Sequence, residues 1–187
     1  MTGGIGAGKS EALRAFARHG AETASADEIV HRLYRDPAVK VALRSRWGDV
    51  VFGGDGEIDR RAVGEVVFAD AAELEWLEGL LHPRVVEEQR RWREELEARS
   101  DPPWVAVVEV PLLYETGGEA RFDAVVAITA PEDVRAARTA VSGAAERGRR
   151  LLSDEEKVRR ADFAYVNDGS LAELDAFVSD VLAKLAA

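Results

Sequence analysis

The stretch Gly3-Gly4-Ile5-Gly6-Ala7-Gly8-Lys9-Ser10 satisfies the pattern GxxxxGK[ST], and each fixed position answers a chemical need. Glycines let successive backbone N–H groups turn toward phosphate oxygens, Lys9 brings positive charge to the β- and γ-phosphates, and the Ser10 hydroxyl is a ligand for Mg²⁺. Residues 10–19 follow with Ala12, Leu13, Phe16 and Ala17 on one helical face and Gly20 as the C-terminal cap. Such a helix directs its positive end at the anion held by the loop. The segment predicts a cradle for the phosphates of a nucleoside triphosphate, lined by Gly4, Ile5, Gly6, Ala7, Gly8, Lys9 and Ser10.

A loop of this kind should leave a buried strand, and only Met1 and Thr2 precede Gly3. The expectation is a chain whose first strand is missing, with about four to eight further apolar residues upstream in the natural protein, since that strand belongs inside a sheet.

Outward from the loop, residues 21–25 read as a strand, followed by a helix over 28–34 that Asp27 can cap. Asp36-Pro37 opens a helix to about residue 47, with proline at its favoured first position. Residues 59–99 are largely helical, with Asp59 and Asp70 as caps, and Pro83 is expected to divide the stretch in two. Valine-rich runs at 104–110 and 124–128, and a third run at 162–166, have the look of buried parallel strands.

A helix starts at Pro131, and Ser153 with Glu156 reads as a capping box. Ser170 with Glu173 repeats that signature before a helix carrying Leu171, Leu174, Phe177, Val178, Val181 and Leu185 on one face. Strands alternating with helices predict a parallel α/β sheet covered on both faces, with ligands beyond the carboxyl ends of the strands. Asp27, the Pro111 turn, Thr129 and Asn167 all fall there. The organisation expected is one domain over 1–187.

With 47% apolar and 32% charged residues the chain has an ordinary globular composition, and no apolar run approaches the roughly 18 residues of a membrane span. No signal-peptide pattern opens it, so the cytoplasm is the expected compartment. The absence of cysteine excludes disulfides, thiolate metal sites and thiol nucleophiles. A net charge of −10 argues against a nucleic-acid partner, so phosphate recognition must be local.

Beyond the loop, Ser25-Ala26-Asp27, Phe52-Gly53, Gly56-Glu57-Ile58-Asp59-Arg60, Phe68, Leu80-Leu81-His82-Pro83, Pro111-Leu112-Leu113-Tyr114-Glu115, Ala161-Asp162 and Asn167-Asp168-Gly169-Ser170 stand in sequence. In order and spacing they resemble the dephospho-CoA kinase family over nearly the whole chain. The resemblance implies a P-loop NTPase-type fold with a five-stranded parallel sheet, a helical CoA-side insertion at 59–99 and a short lid at 138–153. It also implies ATP and Mg²⁺ as cofactors and transfer of the terminal phosphate to the ribose 3′-hydroxyl of dephospho-CoA. The partners expected are these small molecules, with no membrane and with a monomer favoured.

The same resemblance implies roles for single residues. Asp27 is the base or orienting group for the acceptor hydroxyl, or else only a helix cap. Arg138 and Arg147 meet phosphates, or else are solvated charges, and Asn167 joins the nucleotide site. Arg60, His82, Leu112 and Glu115 face the acceptor, although His82 also reads as structural and Glu115, like Glu109, as a solvated loop charge. The four tryptophans are expected to fill core or subdomain contacts, or else one near the acceptor stacks on a base.

Three departures stand out against the family pattern. Ser25 replaces a second acidic residue, Ser142 replaces a second arginine four positions after Arg138, and Leu151 stands where a glutamine is common. Phosphate clamping is then expected to pass to Arg147, Arg149 or Arg150, or catalysis to be weakened. Two alternatives stay open: a kinase of another small alcohol such as a nucleoside, or a catalytically weak nucleotide-binding homologue.

Overall fold

The computed structural model describes residues 1–139 and 152–187. In chain order the elements are β1 (Thr2–Gly3), α1 (Lys9–Arg18), β2 (Glu22–Ser25), α2 (Ala26–Leu33), α3 (Pro37–Trp47), α4 (Arg60–Ala69), α5 (Ala71–Glu97), β3 (Ala106–Glu109), β4 (Val126–Thr129), α6 (Glu132–Thr139), α7 (Asp154–Arg160), β5 (Phe163–Val166) and α8 (Leu171–Leu185). They group into two units, one of Met1–Ser25 with Pro103–Ala187 and one of Ala26–Pro102.

The first unit is an α/β body. β1 pairs with β4, β4 with β5 and β2 with β3, all parallel. Met1 joins the two groups: its amino group donates to Val108 O at 2.8 Å, and Val110 N donates to Met1 O at 2.9 Å. The resulting order is β2-β3-β1-β4-β5. Of the first strand, expected to be missing, two residues are present: β1 lies between β3 and β4.

Parallel strands buried on both faces need apolar side chains on both, and Val126 to Thr129 are all buried. Val126 and Ile128 meet Ala12, Ala15 and Phe16 of α1 and Leu174, Val178 and Val181 of α8 in one core. Leu182 also belongs to that core, whereas Leu171 and Leu185, expected on the apolar face, are exposed at 64% and 41%. They sit in the first and last turns of the helix. The box at α8 forms in full, with Ser170 N donating to Glu173 Oε2 and Glu173 N to Ser170 Oγ. At α7 only half forms: Glu156 N donates to Ser153 Oγ, while the Glu156 carboxylate takes Arg159 instead.

The second unit is helical, with its own core of Ile29, Leu33, Val39, Leu43, Val51, Val63, Val67, Leu77, Leu81 and Val85. It starts at Ala26, so residues 59–99 are one part of it. The break expected at Pro83 occurs at Asp70 instead, whose carboxylate accepts from Ala72 N at 2.8 Å and caps α5. α5 runs unbroken through Pro83. An internal proline costs about 3 kcal/mol by removing one N–H and crowding the carbonyl four residues back. That residue is Gly79, and three buried aliphatics around the proline, Leu77, Leu81 and Val85, at about 1.5–3 kcal/mol each, outweigh the cost.

Trp47 and Trp76 pack edge to face at 5.1 Å, and Trp47 Nε1 donates to Glu73 at 2.7 Å, as a half-buried indole requires. Trp104 departs from expectation: it is 58% exposed. Among the described residues no helix is long and apolar enough to cross a membrane.

Candidate active site

Residues 3–10 leave β1 and wrap onto the amino end of α1. Gly8 is the N-cap of α1 with φ 95°, a left-handed conformation suited to glycine. A Cβ there would stand 2.1 Å from Asn167 Nδ2, and one on Gly3 1.9 Å from Ile128 O. Both glycines are therefore required by close approach as well as by backbone shape.

The loop's own groups make its inner contacts. Lys9 Nζ donates to Gly4 O at 3.0 Å and lies 4.0 Å from the buried carboxylate of Glu109 at the end of β3. Ala7 is fully buried, Gly6 and Ile5 partly, and the Ser10 side chain is exposed at the start of α1.

Arg138 and Asn167 secure the far end of the loop. Asn167 Nδ2 donates to Ala7 O at 2.8 Å, and its backbone N donates to Thr129 O at 2.7 Å. Arg138 donates to Gly6 O at 3.3 Å and to Asn167 O at 3.4 Å. Two positions that the resemblance assigned to the nucleotide site thus both contact the loop. Arg147, with Arg149, Arg150, Ser142 and Leu151, lies outside the described residues.

The turn after β3 holds a buried ion pair. Lys157 of α7 has no exposed side-chain surface, and its ammonium lies 3.0 Å from Glu115 Oε1 and 3.3 Å from Pro111 O. Thr2 Oγ1 donates to the same carbonyl at 3.2 Å, and Leu152 N donates to Glu115 Oε1 at 2.9 Å. Glu115 is therefore engaged inside the α/β unit, not a solvated loop charge, and Leu112 beside it is half-buried. Tyr114 has its hydroxyl pushed up by burial, against the opposing pull of Arg160 packed on its ring at 4.2 Å.

The remaining candidates lie in the helical unit. Asp27 is not a cap: α2 begins at Ala26, which puts Asp27 in the first turn, exposed, two residues beyond the carboxyl end of β2. Arg60 is the first residue of α4, exposed, and its charge acts on the Tyr34 hydroxyl, whose pKa burial raises and Arg60 opposes. His82 is exposed on α5 next to Pro83.

Three residues escaped the sequence reading. Arg135 pairs with Asp154 at 3.3 Å, and both crowd Gly4: a Cβ at that glycine would lie 2.8 Å from Asp154 Oδ1 and 3.1 Å from Arg135 Nη1. Arg135 was findable, because it stands three residues before Arg138 on one helix and so shares its face. Asp154 and Lys157 offered no signal, since a charge-rich run such as Asp154 to Arg160 reads as a solvated face.

A family model described as dephospho-CoA kinase matches residues 1–173. The dephospho-CoA kinase of Rhodopseudomonas palustris strain BisB18 is 37% identical over 192 residues, covering 100% of this chain and 94% of that protein. That of Mesorhizobium japonicum is 37% identical, with 97% and 94% covered. Among solved structures, TT1252 from Thermus thermophilus superposes with a TM-score of 0.79 at 33% identity, covering 98% of this chain and 95% of the other. The dephospho-CoA kinase from Campylobacter jejuni shares the fold, with a TM-score of 0.70 at 24% identity over 98% of this chain and 94% of its own.

Proposed function

The chain belongs to the dephospho-CoA kinase family, and on that premise we propose how its residues divide the transfer of the terminal phosphate of ATP to dephospho-CoA, which yields CoA and ADP. In the transfer, the acceptor's 3′-hydroxyl oxygen bonds to the γ-phosphorus as the bond from that phosphorus to the β-phosphate oxygen breaks. ADP leaves with the electron pair, and the hydroxyl proton passes to a base.

Residues 4–10 bind the triphosphate. The observation that carries this assignment is the loop itself, wound on the amino end of α1 with Lys9 Nζ turned back onto Gly4 O at 3.0 Å. In that position the ammonium is prepared to exchange a carbonyl for phosphate oxygens. Arg138, already bonded to Gly6 O, adds a second positive charge, and Asn167 keeps the loop from relaxing.

Mg²⁺ suits the donor set. The Ser10 hydroxyl, exposed at the start of α1 beside the loop, would hold it. This is the pattern of an ion bound by one or two protein oxygens plus phosphate. When bound, it neutralises charge on the phosphates.

Asp27 takes the acceptor proton. Its carboxylate is exposed and without a capping role, and a positioned carboxylate of this kind contributes roughly 10²–10⁴ in rate. Arg60, His82, Leu112 and Glu115 are assigned to the acceptor side, with Glu115 acting through the turn that it fixes to Lys157. We further propose a cytoplasmic monomer that works on small molecules; its charge of −10 argues against a polyanionic partner such as nucleic acid.

The test is an assay with Mg-ATP and a panel of acceptors. CoA formed from dephospho-CoA, with kcat depressed at least about 100-fold in Lys9→Ala and Asp27→Asn, supports the assignment. Near-unchanged turnover in Asp27→Asn would remove it from the chemistry.

A further inference from the structure

We propose that Arg135 is a second arginine of the ATP site, held ready by Asp154 and released to the terminal phosphate when ATP binds. The proposal rests on reading residues 4–10 as the triphosphate cradle.

Three observations place the guanidinium there. First, Arg135 and Arg138 are three residues apart on α6, so they project from one face. Arg138 reaches the carbonyls of Gly6 and Ala7. Arg135, one turn nearer the helix start, stands at Gly4, with Nη1 only 3.1 Å from where a Cβ of that residue would be. The two guanidiniums therefore sit at different points of the same loop.

Second, Gly4 marks the end of the loop that meets the outer phosphates. Lys9, the residue that serves the β- and γ-phosphates in this motif, rests its ammonium on Gly4 O at 3.0 Å. A guanidinium packed on that same residue lies within one residue's width of the position where the terminal phosphate charge must be met.

Third, the pair with Asp154 is a sheltered one. The Arg135 and Asp154 side chains are 33% and 18% exposed, so their contact is neither a solvated surface pair nor a sealed core pair. A fully buried pair is costly to break, and a fully exposed one holds nothing in place. The intermediate case suits an arginine that needs a holding partner and must still be able to leave it. Guanidinium binds carboxylate and phosphate through the same planar fork. The incoming triphosphate, carrying more negative charge than one carboxylate, is the stronger partner.

Glycine at position 4 is part of the arrangement. Any side chain there would occupy the space of Asp154 Oδ1, 2.8 Å from the Cβ position. The alternative role for Arg135 is a strut between α6 and α7, and the two make opposite demands of Asp154. A strut loses its function when either member is neutralised, whereas a holding carboxylate competes with the ligand.

Dissociation constants for ATP and ADP, measured by calorimetry beside kcat and KM, separate the two roles. Arg135→Ala is expected to weaken ATP by about 10–100-fold and ADP by about tenfold less, because only ATP has the terminal phosphate. Asp154→Asn is expected to leave ATP affinity unchanged or tighter. Unchanged discrimination between ATP and ADP in Arg135→Ala, with matching losses of thermal stability in both variants, overturns the proposal in favour of the strut. If Arg135→Ala does not fold, Arg135→Gln decides by the same ratio. Lys9→Ala serves as the control: loss of ATP binding there with none in the Arg135 variants sinks this inference alone, and no loss in either sinks the reading of the loop.

Discussion

Two independent local demands fall on Gly8. Its φ of 95° is left-handed, which costs an L-residue with a side chain roughly 1–2 kcal/mol. Its missing Cβ is the space in which Asn167 Nδ2 reaches Ala7 O, since a methyl would stand 2.1 Å from that nitrogen. Gly8→Ala should therefore displace Asn167 and open the loop, abolishing measurable ATP binding by calorimetry while lowering stability by at least about 2 kcal/mol. A Gly8→Ala protein that binds ATP normally would show that the loop is not held by this contact. At this scale the site was legible where chemistry imposes a residue type, as at Gly8, Lys9 and Ser10. It was illegible where a charged side chain is buried by its neighbours. Lys157 occurs in a run that reads as solvent-facing, and only the fold brings Glu115 and the Pro111 carbonyl to its ammonium.

Elements were legible from caps and apolar runs, and they went astray where tertiary packing outweighs a local rule. The runs at 104–110 and 162–166 contain β3 and β5, and the run at 124–128 overlaps β4, which starts two residues later and ends one residue later, at Thr129. Thr2 and Gly3 carry no strand signal of their own, and they become β1 only because β4 on one side pairs with them. Pro83 is the clearest case in the helices. Its ring lies exposed on the outside of α5 while Leu81 and Val85 are buried on either side, so burial keeps the helix continuous and the proline leaves a local defect. Arg84 Nη1 donates to Leu80 O at 2.6 Å in that very turn, supporting a carbonyl near the missing N–H. A defect retained beside an exposed histidine fits a functional constraint better than a structural one. Pro83→Ala should then raise thermal stability, by about 1–3 kcal/mol, and at the same time raise KM for dephospho-CoA by shifting His82. Greater stability with an unchanged KM would show that the proline serves neither purpose, and a loss of stability would show that the backbone at residue 83 is not strained.

The whole sheet turns on Met1, since its backbone is what joins β3 to the pair of β1 and β4. That role places the amino group of Met1 inside the molecule. That group donates to Val108 O, and Met1 as a residue is 6% exposed. Burial lowers its pKa from 8.0 to about 5, with the nearby Glu109 carboxylate opposing the shift. The sign follows from proton counting. Below pH 5 the amino group is charged in both folded and unfolded chains, and the folded form bears the full cost of a buried charge. Between pH 5 and 8 the unfolded chain binds the extra proton, so stability rises with pH; above 8 both forms are neutral and the dependence ends. A three-unit shift corresponds to about 4 kcal/mol at most, or roughly 1.4 kcal/mol for each pH unit in that window. For a chain whose first residue is Met1, urea midpoints measured from pH 5 to 8 should climb accordingly, and acetylating that amino group should flatten the climb because the charge is gone in both states. The carboxylates that pair with arginine, such as Glu87 with its pKa lowered to about 2 by Arg90, titrate below this window and cannot imitate the effect. A slope that survives acetylation would assign it to another group and would mean that the Met1 amino group is open to water, leaving the bond from Val110 N to Met1 O to join β3 and β1.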